Sequence, residues 1–295
     1  MEIRPRSFGE NLNEWFRAMG KTWRPLLLLC AFAYVPLGLL TGVLLAIPGT
    51  LNSYFDLFDP TTEPQSLAEF VELLGPLIWA GAVWTILQLV ATALVYVAAG
   101  RALAVAEGGG ESTAPELLRF AWRRLGRALL AGLMVAVGVV VIVAAATLIV
   151  WGLLSGGEAG FMPIFLTAVV ALTTLVLLVW LGVGVSLYIQ AIAMEDGSAA
   201  ASVGSSFRMV RRRWWPTFGF ELVTGLMVSA AGQVLVFVLV PILLLGMITP
   251  ILLAIGYGLT TMLQGPIAAG IGLAYAVWYV DLRAREGPLS TDDLI

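Results

Sequence analysis

"SVGSSFRMVRRRWWP" (residues 202–216) sets Arg208, Arg211, Arg212 and Arg213 against Trp214 and Trp215, in a chain with sixteen basic residues in all. A run of this kind serves nucleic acid, phospholipid headgroups or the anchoring of a helix at a bilayer edge. The pattern occurs twice more. In "SFGENLNEWFRAMGKTWRP" (residues 7–25) Phe16-Arg17 stands nine residues before Pro25, as Phe207-Arg208 stands before Pro216, with Trp23 opposite Trp214 and Lys21 opposite Arg212. "STAPELLRFAWRRLGR" (residues 112–127) fits with Leu118-Arg119 in that register and Arg123 opposite Lys21.

Each copy leads into an apolar run long enough to cross a bilayer, for which about 20 residues suffice. Such runs fall at 25–47, 76–100, 128–153, 163–193, 217–245 and 250–280. The expectation is an all-α polytopic membrane protein with six transmembrane helices, built as three repeats of an amphipathic interfacial helix followed by a transmembrane hairpin. The repeats are 1–100, 101–193 and 194–282 of a single membrane domain spanning 1–295, with 283–295 as a short tail. No small-residue cleavage pattern follows a short apolar core, so the first span is expected to be retained rather than removed as a signal peptide.

Composition agrees. The chain is 60% hydrophobic and 12% charged, with a mean hydropathy of +0.95, against roughly a quarter charged in soluble domains. A net charge of -3 and a pI near 5.1 leave no footprint for nucleic acid, which requires a basic excess on one face. Histidine is absent and Cys30 is the single cysteine. That removes imidazole bases, Cys-His pairs, histidine metal ligands and intrachain disulfides, and no cofactor is expected.

All sixteen basic residues fall in four segments: Arg4, Arg6, Arg17, Lys21 and Arg24; then Arg101, Arg119, Arg123, Arg124 and Arg127; then the four arginines of 208–213; then Arg283 and Arg285. The alternate connections carry Asp56, Asp59, Glu63, Glu69, Glu72 and Glu158 instead. By the positive-inside bias both termini of this multi-pass chain face the cytoplasm and the acidic connections face out. Asp56, Asp59 and Glu63 match no EF-hand spacing and read as solvated surface of the outer 48–75 connection.

Each basic segment has a helical signature. Phe8, Leu12, Trp15, Phe16, Met19 and Trp23 recur on one face and Glu10, Asn13, Glu14, Arg17 and Lys21 on another, and Ser7 with Glu10 forms a capping box. Thr113 with Glu116 repeats that box, ahead of Leu118, Ala121, Trp122 and Leu125 on one side and Arg119, Arg123 and Arg127 on the other. In the third, Val203, Phe207, Val210 and Trp214 share a face. Such helices are expected at the membrane interface, with arginines toward anionic lipid. Candidate contacts with anionic phospholipid are therefore Arg17, Lys21, Arg119, Arg123, Arg208, Arg211, Arg212, Arg213, Trp214 and Trp215. A membrane-protein partner is the other class these surfaces would suit.

Inside the spans the ionisable group is Glu221. It reads either as a proton or cation relay or, the favoured expectation, as a carboxylate paired with a nearby arginine. Gln88, Gln233 and Gln264 are expected to hydrogen-bond between helices. Gly108–Gly110 lacks the lysine and hydroxyl residue of a phosphate-binding loop and reads as a linker. Pro241, Pro250 and Pro266, with Gly246, Gly256, Gly258 and Gly265, interrupt the last two spans. Broken helices of this kind mark substrate sites in transporters, while the small-residue face of Gly265, Ala269, Gly272 and Ala276 suits close helix packing.

"WYVDLRAREG" (278–287), "AMEDGSAAASVGSSFRMVRRRWWPTFG" (193–219) and "RPRSFGENLNEWFRAMGKTWRPLLLL" (4–29) together resemble the bacterial membrane-domain family named after the membrane portion of glycerophosphoryl diester phosphodiesterase. Tyr279, Asp281, Leu282, Arg283, Arg285, Glu286 and Gly287, with Ser206, Phe207 and Arg208, carry the resemblance. Enzymes of that family add a soluble phosphodiesterase domain with histidine and carboxylate groups. Here Asp281 to Ile295 follow the last span and there is no histidine. The resemblance therefore implies a stand-alone six-span membrane module without enzymatic activity. The expected role is a lipid-engaging or partner-binding module, and the alternative is a small-solute or lipid transporter using the fifth and sixth spans.

Overall fold

A computed structural model describes residues 2–46, 67–155, 160–195, 197–246 and 250–290. The acidic residues at 56, 59 and 63, the outer connection as far as 66 and the tail beyond 290 lie outside the described residues. Among the described residues eight helices follow in order: α1 Phe8–Ala46, α2 Leu67–Glu107, α3 Ala114–Leu154, α4 Phe161–Val185, α5 Tyr188–Met194, α6 Ala199–Arg211, α7 Trp214–Gly246 and α8 Pro250–Glu286. Two short strands flank them, β1 (Glu2–Ile3) and β2 (Leu289–Ser290), paired antiparallel, which brings the ends of the described chain together on one side of the bundle. Among the described residues, six helices are long and apolar enough to cross a membrane. The protein is a multi-pass helical membrane protein.

The helix starts follow the local signals. The Ser7 backbone N–H donates to Glu10 Oε2 at 2.6 Å and the Glu10 N–H to Ser7 Oγ at 3.3 Å. Thr113 and Glu116 form the equivalent box, with a 3.1 Å bond from the Thr113 N–H to Glu116 Oε2. Each box satisfies N–H groups that the first helical turn leaves unpaired.

The first two amphipathic segments are not separate elements. α1 and α3 run from their caps through the spans as single helices of 39 and 41 residues. At 1.5 Å per residue α1 is about 58 Å long, well beyond a hydrocarbon core of about 30 Å. Pro25 lies inside α1, where its ring removes one hydrogen bond, a smaller loss than nucleating a second helix. The third segment does separate: α6 stops at Arg211 and α7 starts at Trp214. There Pro216 falls in the first turn, whose N–H groups have no intrahelical partner.

The last two spans are not broken either. α7 is continuous through Pro241 and α8 through Pro266, because flanking helices compensate the lost backbone bond. The interruption lies instead in the fourth span. The Ser186 N–H bonds Val183 O at 3.4 Å and its hydroxyl lies 2.9 Å from the same carbonyl, a local closure that competes with continuing the helix. α5 then restarts after Leu187.

The glycines of α8 are used for contact. α8 lies along α1 and also against α7 and α2. A Cβ on Gly258 would stand 2.8 Å from Gly38 O, and one on Gly38 would stand 2.5 Å from Gly258 O, so the two backbones touch. Further along, Gly265 packs on Cys30 and Tyr34 and Gly272 on Tyr96 and Ala99. Trp15, expected at the membrane surface, is buried and donates its Nε1–H to Gly270 O at 3.0 Å. The buried stripe of α1 is Asn11, Trp15, Ala18, Thr22, Leu26 and Leu29, and Phe16 and Trp23 are left exposed.

Burial runs opposite to hydropathy. The most apolar windows of the third and fourth spans, with mean hydropathies of 3.0 and 2.6, have no buried residue, whereas that of α8, at 1.4, is 39% buried. Helices apolar all round suit a lipid surround, while a central helix needs small and polar groups to approach its neighbours.

Candidate functional site

The tail motif Tyr279, Asp281, Arg283 and Arg285 acts as a clasp. Asp281, with no exposed surface, accepts the Arg6 backbone N–H at 2.6 Å and Arg285 Nε at 2.8 Å. Arg285 also donates to the Arg6 carbonyl, and Arg6 Nη2 pairs with Glu107 at 2.7 Å. The Tyr279 hydroxyl donates to Glu195. Arg283 lies 3.4 Å from Glu195 and 3.5 Å from Glu286. One turn and a half of α8 thereby joins the start of the chain, the end of α2 and the turn after α5.

Beside the clasp, α6 forms one wall of a cleft of about 530 Å³ lined by Arg208, Arg211, Arg212, Arg283, Glu195 and Glu286 among others. Ser198 caps α6, its side chain accepting the Ala201 N–H at 3.3 Å. The buried face of the helix is Ala199, Ser202, Ser206, Met209 and Val210. Ser206 Oγ donates to Gly184 O at 3.1 Å, and Gly184 leaves room for the Phe207 ring, which a Cβ there would meet at 2.7 Å. Phe207 sits edge-on to Trp180 with centroids 5.1 Å apart. These contacts fix α6 against the end of α4 and turn Arg208, Arg211 and Arg212 to the open side, where all three are exposed. Arg208 Nε also bonds Gly204 O at 3.3 Å on its own helix. Among the described residues neither Arg211 nor Arg212 makes an ion pair.

Arg213 is exposed but does not line this cleft. Trp214 is half-buried, its Nε1–H on Trp180 O at 3.1 Å and its ring stacked on Phe218 at 5.2 Å, while Trp215 stays exposed.

A second basic cleft, of about 360 Å³, gathers Arg119 and Arg123 with Arg101, Glu111 and Glu116. Arg101 and Arg124 cover Phe120 at 5.1 and 4.6 Å, contacts that hold a guanidinium over an aromatic ring. Arg17 and Lys21 join neither cleft: Arg17 pairs with Glu14 at 2.6 Å and Lys21 is exposed.

Two arginines outside the expected set are structural. Arg124 Nη1 donates to Ile192 O at 2.5 Å and Glu195 O at 3.0 Å, and Arg127 Nη1 to Gly197 O at 3.2 Å. A cation on the last carbonyls of α5 suits the negative end of a helix.

The intramembrane polar residues divide. Gln88 Nε2 donates to Gln264 Oε1 at 2.5 Å, joining α2 to α8 as expected. Gln233 faces outward and is exposed. Glu221 meets the Ser186 hydroxyl at the break in the fourth span rather than an arginine. That differs from the expected pairing because the break presents a hydroxyl at its depth while the arginines of α6 face the other way. Gln190 was missed, although it carries the same signal as the other glutamines, a neutral amide in an apolar span. It is fully buried and donates to Gly272 O at 3.0 Å and Tyr96 O at 3.4 Å, tying α5 to α8 and α2.

A third, largely apolar cavity of about 400 Å³ lies toward the opposite end of the bundle, lined by Thr41, Trp84, Leu253, Tyr257, Thr261 and Gln264 among others. Among the described residues no three acidic or cysteine side chains gather to hold a metal ion. Comparison of the chain with protein-family models, with curated proteins and with solved structures finds no match.

Proposed function

We propose that the chain is a non-catalytic module of the bacterial cytoplasmic membrane, with both termini in the cytoplasm, whose basic segments hold anionic phospholipid headgroups at the inner leaflet. The observation that carries this reading is the cleft beside α6, where Arg208, Arg211 and Arg212 stand open beside Arg283 at the end of the bundle that bears the termini. A basic residue near an anionic leaflet contributes about 1 kcal/mol, and guanidinium forks match phosphate oxygens. Exposed Trp215 beside them suits the headgroup zone.

The segregation of basic residues supports the orientation, and the matching registers of 7–25, 112–127 and 202–216 support three repeats of a basic segment and a transmembrane hairpin.

Glutamine at Arg208, Arg211 and Arg212 together is expected to abolish the preference for anionic over zwitterionic lipid in nanodiscs and to flatten its salt dependence. A preference unchanged in a correctly inserted triple variant would overturn the reading. For orientation, a cysteine replacing Asn52 is expected to react with an impermeant thiol reagent in intact cells and one replacing Gly109 only after permeabilisation. The reverse pattern would invert the topology.

A second reading, transport of a small solute or lipid, is favoured by the cavity beside the Gln88–Gln264 bond. Flux in proteoliposomes that Gln264→Leu suppresses, with lipid preference intact, would promote it.

A further inference from the structure

We infer that the cleft between α6 and the end of α8 is matched to a phosphate monoester rather than a phosphate diester; the inference rests on the anionic-headgroup reading and narrows it. The argument starts from charge. Four guanidiniums, Arg208, Arg211, Arg212 and Arg283, face two carboxylates, Glu195 and Glu286, leaving a net charge of +2 among the described residues that line the cleft. Those charges are not evenly spread. Arg283 lies between the two carboxylates, 3.4 Å from one and 3.5 Å from the other, and the Tyr279 hydroxyl adds a second donor to Glu195. The acidic side of the cleft is thus compensated from within the clasp.

On the opposite wall Arg208, Arg211 and Arg212 follow at i, i+3 and i+4, which places them on one face of the helix end. Three donor groups on one wall suit the three terminal oxygens of a monoester, which carries about -1.5 to -2 at neutral pH with a second pKa near 6. A diester, the ordinary phospholipid linkage, offers two terminal oxygens and a single charge. Ser205 adds no competing donor, because its Oγ donates to Ser202 O at 3.2 Å. The monoester can sit on a lipid, as in a phosphatidic acid headgroup, or on a soluble molecule; the cleft recognises the group common to both.

Binding of the full-length protein in nanodiscs is measured for phosphatidic acid and for phosphatidylglycerol, at about pH 7.5 and about pH 5, to either side of that second ionisation. The expected result is binding of phosphatidic acid about fivefold tighter at the higher pH, the factor that one further charge supplies, with the difference lost at the lower pH. Both lipids meet the same cleft at each pH, and the diester keeps a single charge throughout, so the pH dependence of the difference between them follows the second ionisation of the monoester. Arg211→Gln/Arg212→Gln is expected to erase the preference. Butyl phosphate, but not dibutyl phosphate, competing with phosphatidic acid places soluble monoesters among the ligands; failure of both to compete restricts the site to lipid, and the inference stands in either case. Equal affinity for the two lipids at the higher pH, or a preference that survives Arg211→Gln/Arg212→Gln, overturns the inference while leaving the anionic-lipid reading in place. Absence of binding to both lipids overturns both.

Discussion

Leucine in place of Gly258 is expected to leave too little folded protein to purify. The reason is that its Cβ meets backbone, which cannot swing aside as a side chain would. At this position the Gly38 carbonyl oxygen stands 2.8 Å from where the Cβ would be, and the reciprocal distance at Gly38 is 2.5 Å. The milder Gly38→Ala is expected to cost about 2 kcal/mol, in the range for overpacked contacts. Gly138→Ala is the control: no atom lies within 4 Å of its Cβ position, and removing a helical glycine there should stabilise by up to about 1 kcal/mol. Thermal unfolding in detergent, followed by size-exclusion, checks all three. Equal behaviour of the Gly38 and Gly138 variants would mean that α1 and α8 do not touch as described.

Alanine at Asp281 is expected to cost about 3 kcal/mol, the scale for removing one partner of a buried ion pair. The carboxylate serves both the Arg6 N–H and the Arg285 guanidinium, so its loss leaves a backbone donor and a cation together in a site with little access to water. Asp281→Asn retains an acceptor for Arg6 and loses the charge opposite Arg285, for an intermediate cost of about 1–2 kcal/mol. Release of the N-terminal segment should be visible as faster hydrogen exchange at Ile3 and Arg4 and as proteolysis near Arg6. Protection unchanged in Asp281→Ala would show that β1 and β2 are held by something other than the clasp.

The caps at Ser7 and Thr113, the six spans and the basic segments were all legible in the sequence, since each depends on residues within one turn or one run of the chain. The glutamine pair was legible as two polar groups in need of partners, though not as partners of each other. Burial was far less legible. Leu28 is 65% exposed and Leu29 1% exposed, yet both are leucines in one apolar run. In a bilayer the outside of a helix is as apolar as its inside, so the alternation that reveals a core in a soluble helix carries less information. The same ambiguity hid the burial of Trp15, while the continuity of α7 and α8 through Pro241 and Pro266 depends on neighbouring helices rather than on local sequence.

What the sequence determined by itself is how many times the chain can cross a membrane, where its positive charge is concentrated and where its capped helices begin, because transfer free energy and capping depend on local composition. What only the tertiary structure decided is which charges are spent on the fold and which remain open. Arg124, Arg127, Arg283 and Arg285 find carbonyls or carboxylates, several of them on distant elements, while Arg211 and Arg212 on the exposed face of α6 form no ion pair among the described residues. An arginine's letter is the same in both settings. Its role follows from whether the fold brings an acceptor within about 3 Å of its guanidinium.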